Sequence, residues 1–380
     1  MIKNIFVIVI LFIFLSCNKN ENNYQIVENS DGVKTYLNKN IPSNKSFTMK
    51  THKLFTIKGV DKTNTDSSRI MLNPSVLKTD SSKNIYILDR KGCSIKKFTK
   101  DGTFITSFGN KGSGPGEMID PVDITILRDT IFIYDYSSHK IVKFDNSGNF
   151  IEFVNLDNIY PMFLYTLSND NMICMSSSPR MVNDKELFFD NNLMIINNKF
   201  EKIKIIKRNS IKYEPKNIDL SDFNFRFTLS HNKIYVGEIS TNEYLITVYD
   251  LNGNVLYRIK KNYTNVPFSK EKQAEYSKII TANNEELGKT NISTKYKKAI
   301  KDMYYDKYGN LIIYTSIKRN NKNKKDYVVD VFKDGVFINR IILDICEGDE
   351  FRNSNHKLFF EDRRIFYINK EDNTITIYNY

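Results

Sequence analysis

Ile95-Lys96-Lys97-Phe98 followed by the turn Asp101-Gly102, with Ile85-Tyr86-Ile87-Leu88-Asp89 just upstream, is the stretch that decides the fold. Both segments are only four or five residues long, and Ile85 to Leu88 is apolar without alternation, as a strand buried on both faces requires. The Gly can take φ > 0 at a hairpin turn. The same arrangement recurs at Ile131–Asp135 with Ile141–Phe144 and Ser147-Gly148, at Ile234–Val236 with Ile246–Tyr249 and Asn252-Gly253, and at Leu311–Tyr314 with Val329–Phe332 and Asp334-Gly335. The four glycines are 46, 105 and 82 residues apart. The gap of 105 holds one further unit, Met172–Met175 with Met194–Phe200, where Asn198 stands near the glycine position. A sixth unit pairs Ile365–Ile368 with Thr374–Tyr378.

Several short strands per unit of about fifty residues, six times over, form the pattern of a radial array in which each sheet is covered by its neighbours. The predicted fold class is therefore all-β: a six-bladed β-propeller of four-stranded blades. The absence of Trp argues against a WD-type repeat, and the absence of a Gly-Gly pair against kelch. The sixth unit lacks an outer strand downstream of Tyr378, while Phe47 to Ile57 reads as a strand with no other partner. Pairing the two closes the ring and removes both free edges. Residues 264–298 lengthen the fifth unit and read as a short helical insertion. Its segments Ser269 to Ile280 and Lys295 to Met303, the latter with Ala299, Ile300 and Met303, are expected as short amphipathic helices on one face of the disc.

The chain has 380 residues and a formal charge of +12, with 41% hydrophobic residues, enough for a packed core. The basic excess is spread along the chain without Arg clusters. Its one dense run, Lys318 to Lys325, falls between two strand segments and reads as a solvated hairpin tip, so no nucleic-acid partner is expected.

Residues Ile5 to Leu15 are uninterruptedly apolar, follow Lys3, and end at Ser16-Cys17 before a polar run. At about 1.5 Å per residue they fall short of the roughly 30 Å hydrocarbon core, so an export signal is expected rather than a spanning helix. The small residue before Cys17 resembles a bacterial lipobox, although Phe14 and Leu15 depart from its usual residues. That resemblance implies cleavage after residue 16, acylation of Cys17 and a lipid-anchored protein. Asn18, rather than Asp, implies by the sorting rules of such proteins the outer membrane, facing the periplasm or the cell surface. The expected organisation is a signal peptide at 1–16, a flexible Asn- and Lys-rich tether at 17–46 and the propeller at 47–380. Cys93, Cys174 and Cys346 are widely spaced, lack any CxxC pattern and do not form a zinc site.

The run Phe108-Gly109-Asn110-Lys111-Gly112-Ser113-Gly114-Pro115-Gly116-Glu117, together with Leu88-Asp89, Ile95 to Phe98 and Asp101-Gly102, resembles an NHL-type repeat. The whole chain is similar to the six-bladed β-propeller lipoproteins of Bacteroides-like bacteria. The resemblance is densest over residues 76–155, and the third unit has neither the Asp nor the Gly. It implies the fold and an envelope location, and no particular activity.

The chemistry legible in the residues is sparse. The Gly109 to Gly116 run lacks a following Lys-Ser/Thr and leads to Pro121 rather than a helix, so it reads as an inter-blade connection, not a phosphate cradle. Asp89 and Asp135 end the second strands of their units, where a carboxylate can accept backbone N–H bonds. His52, His139, His231 and His356 lie in separate units without metal-type spacing. Asp123, Asn169, Glu238 and Glu361 lie near innermost or second strands, where propeller hydrolases hold an axial Ca2+ or other divalent ion. Two functions follow as expectations. The first is a non-enzymatic envelope lipoprotein without a cofactor, whose propeller face binds an envelope protein or a glycan-type ligand. The alternative is a lactonase-like hydrolase or lyase with an axial metal. No catalytic residue is identifiable from spacing alone.

Overall fold

The computed structural model describes residues 23–59, 67–157, 159–183, 185–219, 225–283, 291–317, 327–345, 356–361 and 363–380. They form six four-stranded antiparallel blades. From the axis outward, blade 1 is Pro74–Thr79, Ile85–Asp89, Ser94–Phe98 and Phe104–Phe108, and blade 2 is Pro121–Leu127, Thr130–Asp135, Lys140–Asp145 and Phe150–Asn155. Blade 3 is Pro161–Thr166, Met172–Val182, Glu186–Ile196 and Lys202–Lys212; blade 4 is Arg226–Leu229, Ile234–Gly237, Tyr244–Tyr249 and Val255–Lys261. Blade 5 is Ile300–Tyr305, Asn310–Thr315, Tyr327–Lys333 and Val336–Leu343. Blade 6 takes His356–Glu361, Arg364–Asn369 and Thr374–Asn379 from the end of the chain and its outer strand, His52–Lys58, from the beginning.

Six apolar clusters fill the six gaps between neighbouring blades. The second strands show why their sequences are continuously apolar. In blade 1, Ile85 and Ile87 pack toward blade 6 while Tyr86 and Leu88 pack toward blade 2. In blade 2, Ile131 and Ile133 face blade 1 while Phe132 and Tyr134 face blade 3. Alternate side chains of one strand thus leave water on opposite faces, and each fully buried Ile or Leu contributes roughly 2–3 kcal/mol. The closing strand takes part on the same terms: Ile57 joins Ile375, Ile377 and Leu77 between blades 6 and 1.

The turns between third and outer strands seat blades 1 to 4 on their predecessors in the ring. Gly148, at φ 92°, leaves room for the Phe108 ring on blade 1, which an added Cβ would approach to 2.6 Å. In blade 3 the positive φ falls on Phe200, two residues beyond the expected Asn198. Its ring is buried against Phe132 of blade 2, with centroids 6.0 Å apart, and that burial offsets the backbone cost of a non-glycine residue there.

Two expectations need correction. Residues 24–38, read as part of a flexible tether, form the hairpin Tyr24–Glu28 and Lys34–Asn38, whose second arm pairs in parallel with the outer strand of blade 4. The chain then runs along blade 5, where Ser43 N donates to the Phe337 carbonyl and Asn44 N to that of Ile338, before entering blade 6. This belt is held by paired backbone groups and by Asn38, whose side chain is 2% exposed in total, donates to the Gly335 carbonyl at 2.9 Å and accepts from Phe337 N at 2.8 Å. Tyr36 fills the space above Gly335, at φ 86°, as Phe108 does above Gly148. Beneath the belt the buried Asp330 receives the buried Lys261 at 3.3 Å and the partly exposed Arg340 at 2.7 Å, and Lys261 also donates to Asn40.

The insertion contains the helix Lys270–Asn283, but its second half is not helical. Asn291–Ile292 pairs in parallel with Asn217–Ile218, and Ile300–Tyr305 is the innermost strand of blade 5. Ala299, Ile300 and Met303, which suggested a helical face, pack instead against blade 4. Among the described residues no helix is long and apolar enough to cross a membrane. Residues 1–22, which include Cys17, the basic run Lys318 to Lys325 and Cys346 lie outside the described residues. Cys93 and Cys174 are buried free thiols.

The belt is predicted to contribute to stability. Asn38→Ala strands a buried carbonyl and a buried N–H, and is expected to lower unfolding free energy by about 2–3 kcal/mol in denaturant titration. A change within error would show the hairpin to be a loosely attached tether after all.

Candidate functional site

The six innermost strands surround an axial funnel with a volume of about 880 Å³. Each innermost strand borders it: Val76 and Lys78 from blade 1, Asp123 and Thr125 from blade 2 and Phe163 and Tyr165 from blade 3, with Leu77, Ile124 and Leu164 between them buried in the gaps between blades, while blades 4, 5 and 6 contribute consecutive residues. In blades 1, 2, 3 and 5 a bulge near the first residue of the innermost strand sets this register, at Pro74/Val76, Pro121/Asp123, Pro161/Phe163 and Ile300/Asp302. Pro at the first strand position gives up no ladder hydrogen bond. The funnel runs from the turns at His231, Lys307 and Arg363 to the insertion, which supplies Phe268, Thr294 and Tyr296.

The lining is cationic and aromatic. Eight Lys and Arg residues border the funnel against four Asp and Glu. Lys301 donates to the Tyr314 hydroxyl at 2.9 Å, Lys357 to the Ser75 carbonyl at 2.9 Å, and Arg226 Nε to the Lys301 carbonyl at 2.7 Å. Tyr314 and Tyr327 stack with centroids 3.9 Å apart, and the Tyr304 hydroxyl lies 2.9 Å from that of Tyr327. Lys78 is 9% exposed, and its Nζ lies 3.7 Å from the Tyr165 ring centroid. Burial pushes its pKa down, with Glu361 and Asp123 opposing. Asp123, 3% exposed, accepts from Ile124 N at 2.9 Å and from Leu164 N of blade 3 at 2.6 Å. Burial pushes its pKa up to about 6, against the pull of Lys78 and those two donors.

No ligand set for an axial metal was identifiable from sequence; of the four polar residues noted near innermost or second strands, the structure brings Asp123 and Glu361 to the funnel. Asn169 instead caps an exposed turn through Asn171 N, and Glu238 is ion-paired with Lys207 of blade 3. Among the described residues no three His, Cys, Asp or Glu gather within reach of one metal ion. Of the four carboxylates bordering the funnel, Asp123 and Glu361 lie in the field of Lys78. A Ca2+ site wants six to eight oxygens without a cation among them, so this donor set does not fit the expected ion.

The remaining candidates are structural. Asp89 accepts from Leu72 N at 2.9 Å and Asn73 N at 2.7 Å, and Asp135 from Ile119 N at 3.0 Å and Asp120 N at 2.6 Å. Each carboxylate thus pins the segment that enters the innermost strand of its own blade. The Gly109 to Gly116 run closes on itself through Gly114 N to Glu117 at 2.8 Å and joins blades 1 and 2. His52 lies on the closing strand, and His139 stacks on Tyr160 at 4.4 Å; of the histidines whose side chains are described, His231 alone borders the funnel. The side chain of His356 lies outside the described residues.

The sequence model of the domain family DUF5128, described as a 6-bladed beta-propeller, matches residues 41–310. The chain belongs to this six-bladed β-propeller family. Its fold is similar to that of a presumed exported protein from Bacteroides fragilis, 13% identical, with a TM-score of 0.51 over 90% of this chain and 98% of that one. Virginiamycin B lyase from Staphylococcus aureus, 11% identical, superposes with a TM-score of 0.43 over 87% of this chain and 98% of that one. At these identities the likeness is one of fold. No curated protein matches the sequence.

Lys78, Arg226, Lys301 and Lys357 were not singled out from sequence, because a buried Lys in a strand can equally lie away from the axis, as Lys96 and Lys140 do. The buried Asp123 gives a pH signature. Its folded pKa lies above the unfolded value near 4, so it contributes stability at low pH that is lost as pH rises through about 6. Asp123→Asn, which cannot ionise, is therefore predicted to gain several degrees of Tm on the wild type as pH rises from about 4 to about 7. A Tm difference that stays flat over that range contradicts the burial of an ionising carboxyl.

Proposed function

We propose that the protein is an envelope-anchored binding module whose functional surface is the axial funnel, holding a glycan-type ligand. The observation that carries this reading is the funnel itself: a concave site of about 880 Å³ built by all six innermost strands and walled by tyrosines, phenylalanines and a few polar groups. Tyr296, 40% exposed at the border of the funnel, offers its ring to a sugar and its hydroxyl a hydrogen bond. Anchoring through an acylated Cys17 is supported by the apolar run Ile5 to Leu15 that precedes it and by the polar run that follows. The hydrolase or lyase with an axial metal is disfavoured by the lysines at the place where the metal would sit.

One experiment tests both parts. Full-length wild type, Thr228→Trp and Cys17→Ser are expressed in a diderm host, fractionated and screened for binding to envelope and plant-derived oligosaccharides. Wild type and Thr228→Trp are expected in the membrane fraction and Cys17→Ser in the soluble one. The Trp placed in the funnel is expected to weaken oligosaccharide binding at least about tenfold at an unchanged Tm. Binding that survives the blocked funnel contradicts the site, and membrane association of Cys17→Ser contradicts the anchor.

A further inference from the structure

We infer that the funnel's ligand is an acidic glycan whose carboxylate or sulfate is received by the Lys78 ammonium, with the adjoining sugar ring against the tyrosine wall. This rests on the funnel being the binding site, and adds the chemical class of what binds there.

Lys78 carries an unmet demand. An ammonium carries three donors and is strongly hydrated, so burying it is costly unless acceptors replace the lost water. Lys78 is nine-tenths buried and borders the funnel, yet among the described residues its Nζ has no hydrogen-bond acceptor and no carboxylate within ion-pair reach. Its one close partner is the face of Tyr165, 3.7 Å away, which offers charge–quadrupole attraction but accepts no conventional hydrogen bond. The nearest acids do not meet the demand. Asp123 spends both oxygens on the backbone N–H groups of Ile124 and Leu164, and Glu361 lies beyond contact distance of Lys78.

The surroundings favour an anion. Lys357, on the innermost strand of the adjacent blade 6, and Lys301, on that of blade 5, add positive charge along the same wall. Across the funnel as a whole the basic residues outnumber the acidic two to one. In a partly desolvated site, a charge-assisted hydrogen bond to Lys78 is stronger than a neutral one, and the surplus field steers anions inward. The ligand must also cover aromatic surface, because Tyr165, Tyr296 and Tyr304 flank these cations. An anionic group attached to a pyranose ring meets both requirements, whereas a bare inorganic anion meets only the first.

The test titrates the full-length protein with trigalacturonate and its methyl ester, with a galactan disaccharide carrying or lacking a sulfate ester, and with an acidic hexapeptide. The expected result is that one acidic glycan binds at least about tenfold more tightly than its uncharged counterpart. The uronate and sulfate pairs identify which anion is received. Lys78→Met is expected to abolish that preference while keeping the Tm at or above wild type, because it removes an unsatisfied buried charge. Lys78→Arg is expected to retain part of it. The inference is overturned if the uncharged sugars bind equally well, if the preference survives Lys78→Met, if neither acidic glycan binds by about 1 mM, or if the peptide displaces both. Loss of binding in Thr228→Trp together with indifference to Lys78→Met would sink this inference alone. Binding that persists in Thr228→Trp would sink the funnel reading beneath it.

Discussion

A strand buried on both faces needs a neighbour on each side, and a ring is the arrangement that gives every blade two neighbours. In this chain that requirement falls on one pairing, His52–Lys58 with Thr374–Asn379, because it completes blade 6 and lets Ile57 and Leu77 share a core. Without it, the faces that Ile85 and Ile87 present would meet water, as would the edge of the last blade. The belt from Tyr24 to Phe47 extends the same logic outward, laying chain across blades 4 and 5 before the closing strand is reached. Closure therefore joins the two ends of the chain, and the long-range pairing it needs makes the ring cooperative rather than a stack of independent repeats.

The functional site is a consequence of that closure. Six innermost strands converge on the axis, so part of each borders the funnel while the rest is buried between blades. Several of the polar residues there bond across to the next blade, as Asp123 does to Leu164 N and Lys357 to the Ser75 carbonyl. Hence the same strands carry both Leu77 and Lys78, both Ile124 and Asp123, in adjacent positions with opposite duties. The cationic surplus along the axis also gives the global charge of +12 a local meaning that its even spread through the sequence conceals.

Much of the fold was legible because burial on both faces leaves an unambiguous mark. Ile85–Asp89, Thr130–Asp135 and Asn310–Thr315 appear in the sequence as uninterrupted apolar runs, and the turn glycines give their spacing. Elements with one wet face were harder. The hairpin of residues 24–38 sits between flanks, 18–23 and 39–46, that are rich in Asn, Lys and Ser, so the whole stretch reads as a linker, and its partner strand lies more than two hundred residues away. Ala299, Ile300 and Met303 fit the helical period as well as they fit a strand facing blade 4, and only the pairing with Asn310–Thr315 decides between them. Asn198 looked like a glycine substitute, whereas the backbone placed the burden on Phe200, which its packing against Phe132 sustains. In the site, Asp123 and Glu361 could be named but their company could not, since the funnel's members come from six strands far apart in sequence.

The pairing that closes the ring can be measured directly. Thr56 and Thr376 face each other across it, with hydroxyl oxygens 3.2 Å apart. In the Thr56→Cys, Thr376→Cys double variant, mild oxidation should form a disulfide between these two positions, seen by peptide mapping. The oxidised protein should unfold in one transition at a higher Tm than its reduced form. Failure to cross-link in the folded protein, or a cross-link that leaves two separate unfolding transitions, would show that the first ordered strands do not complete the last blade.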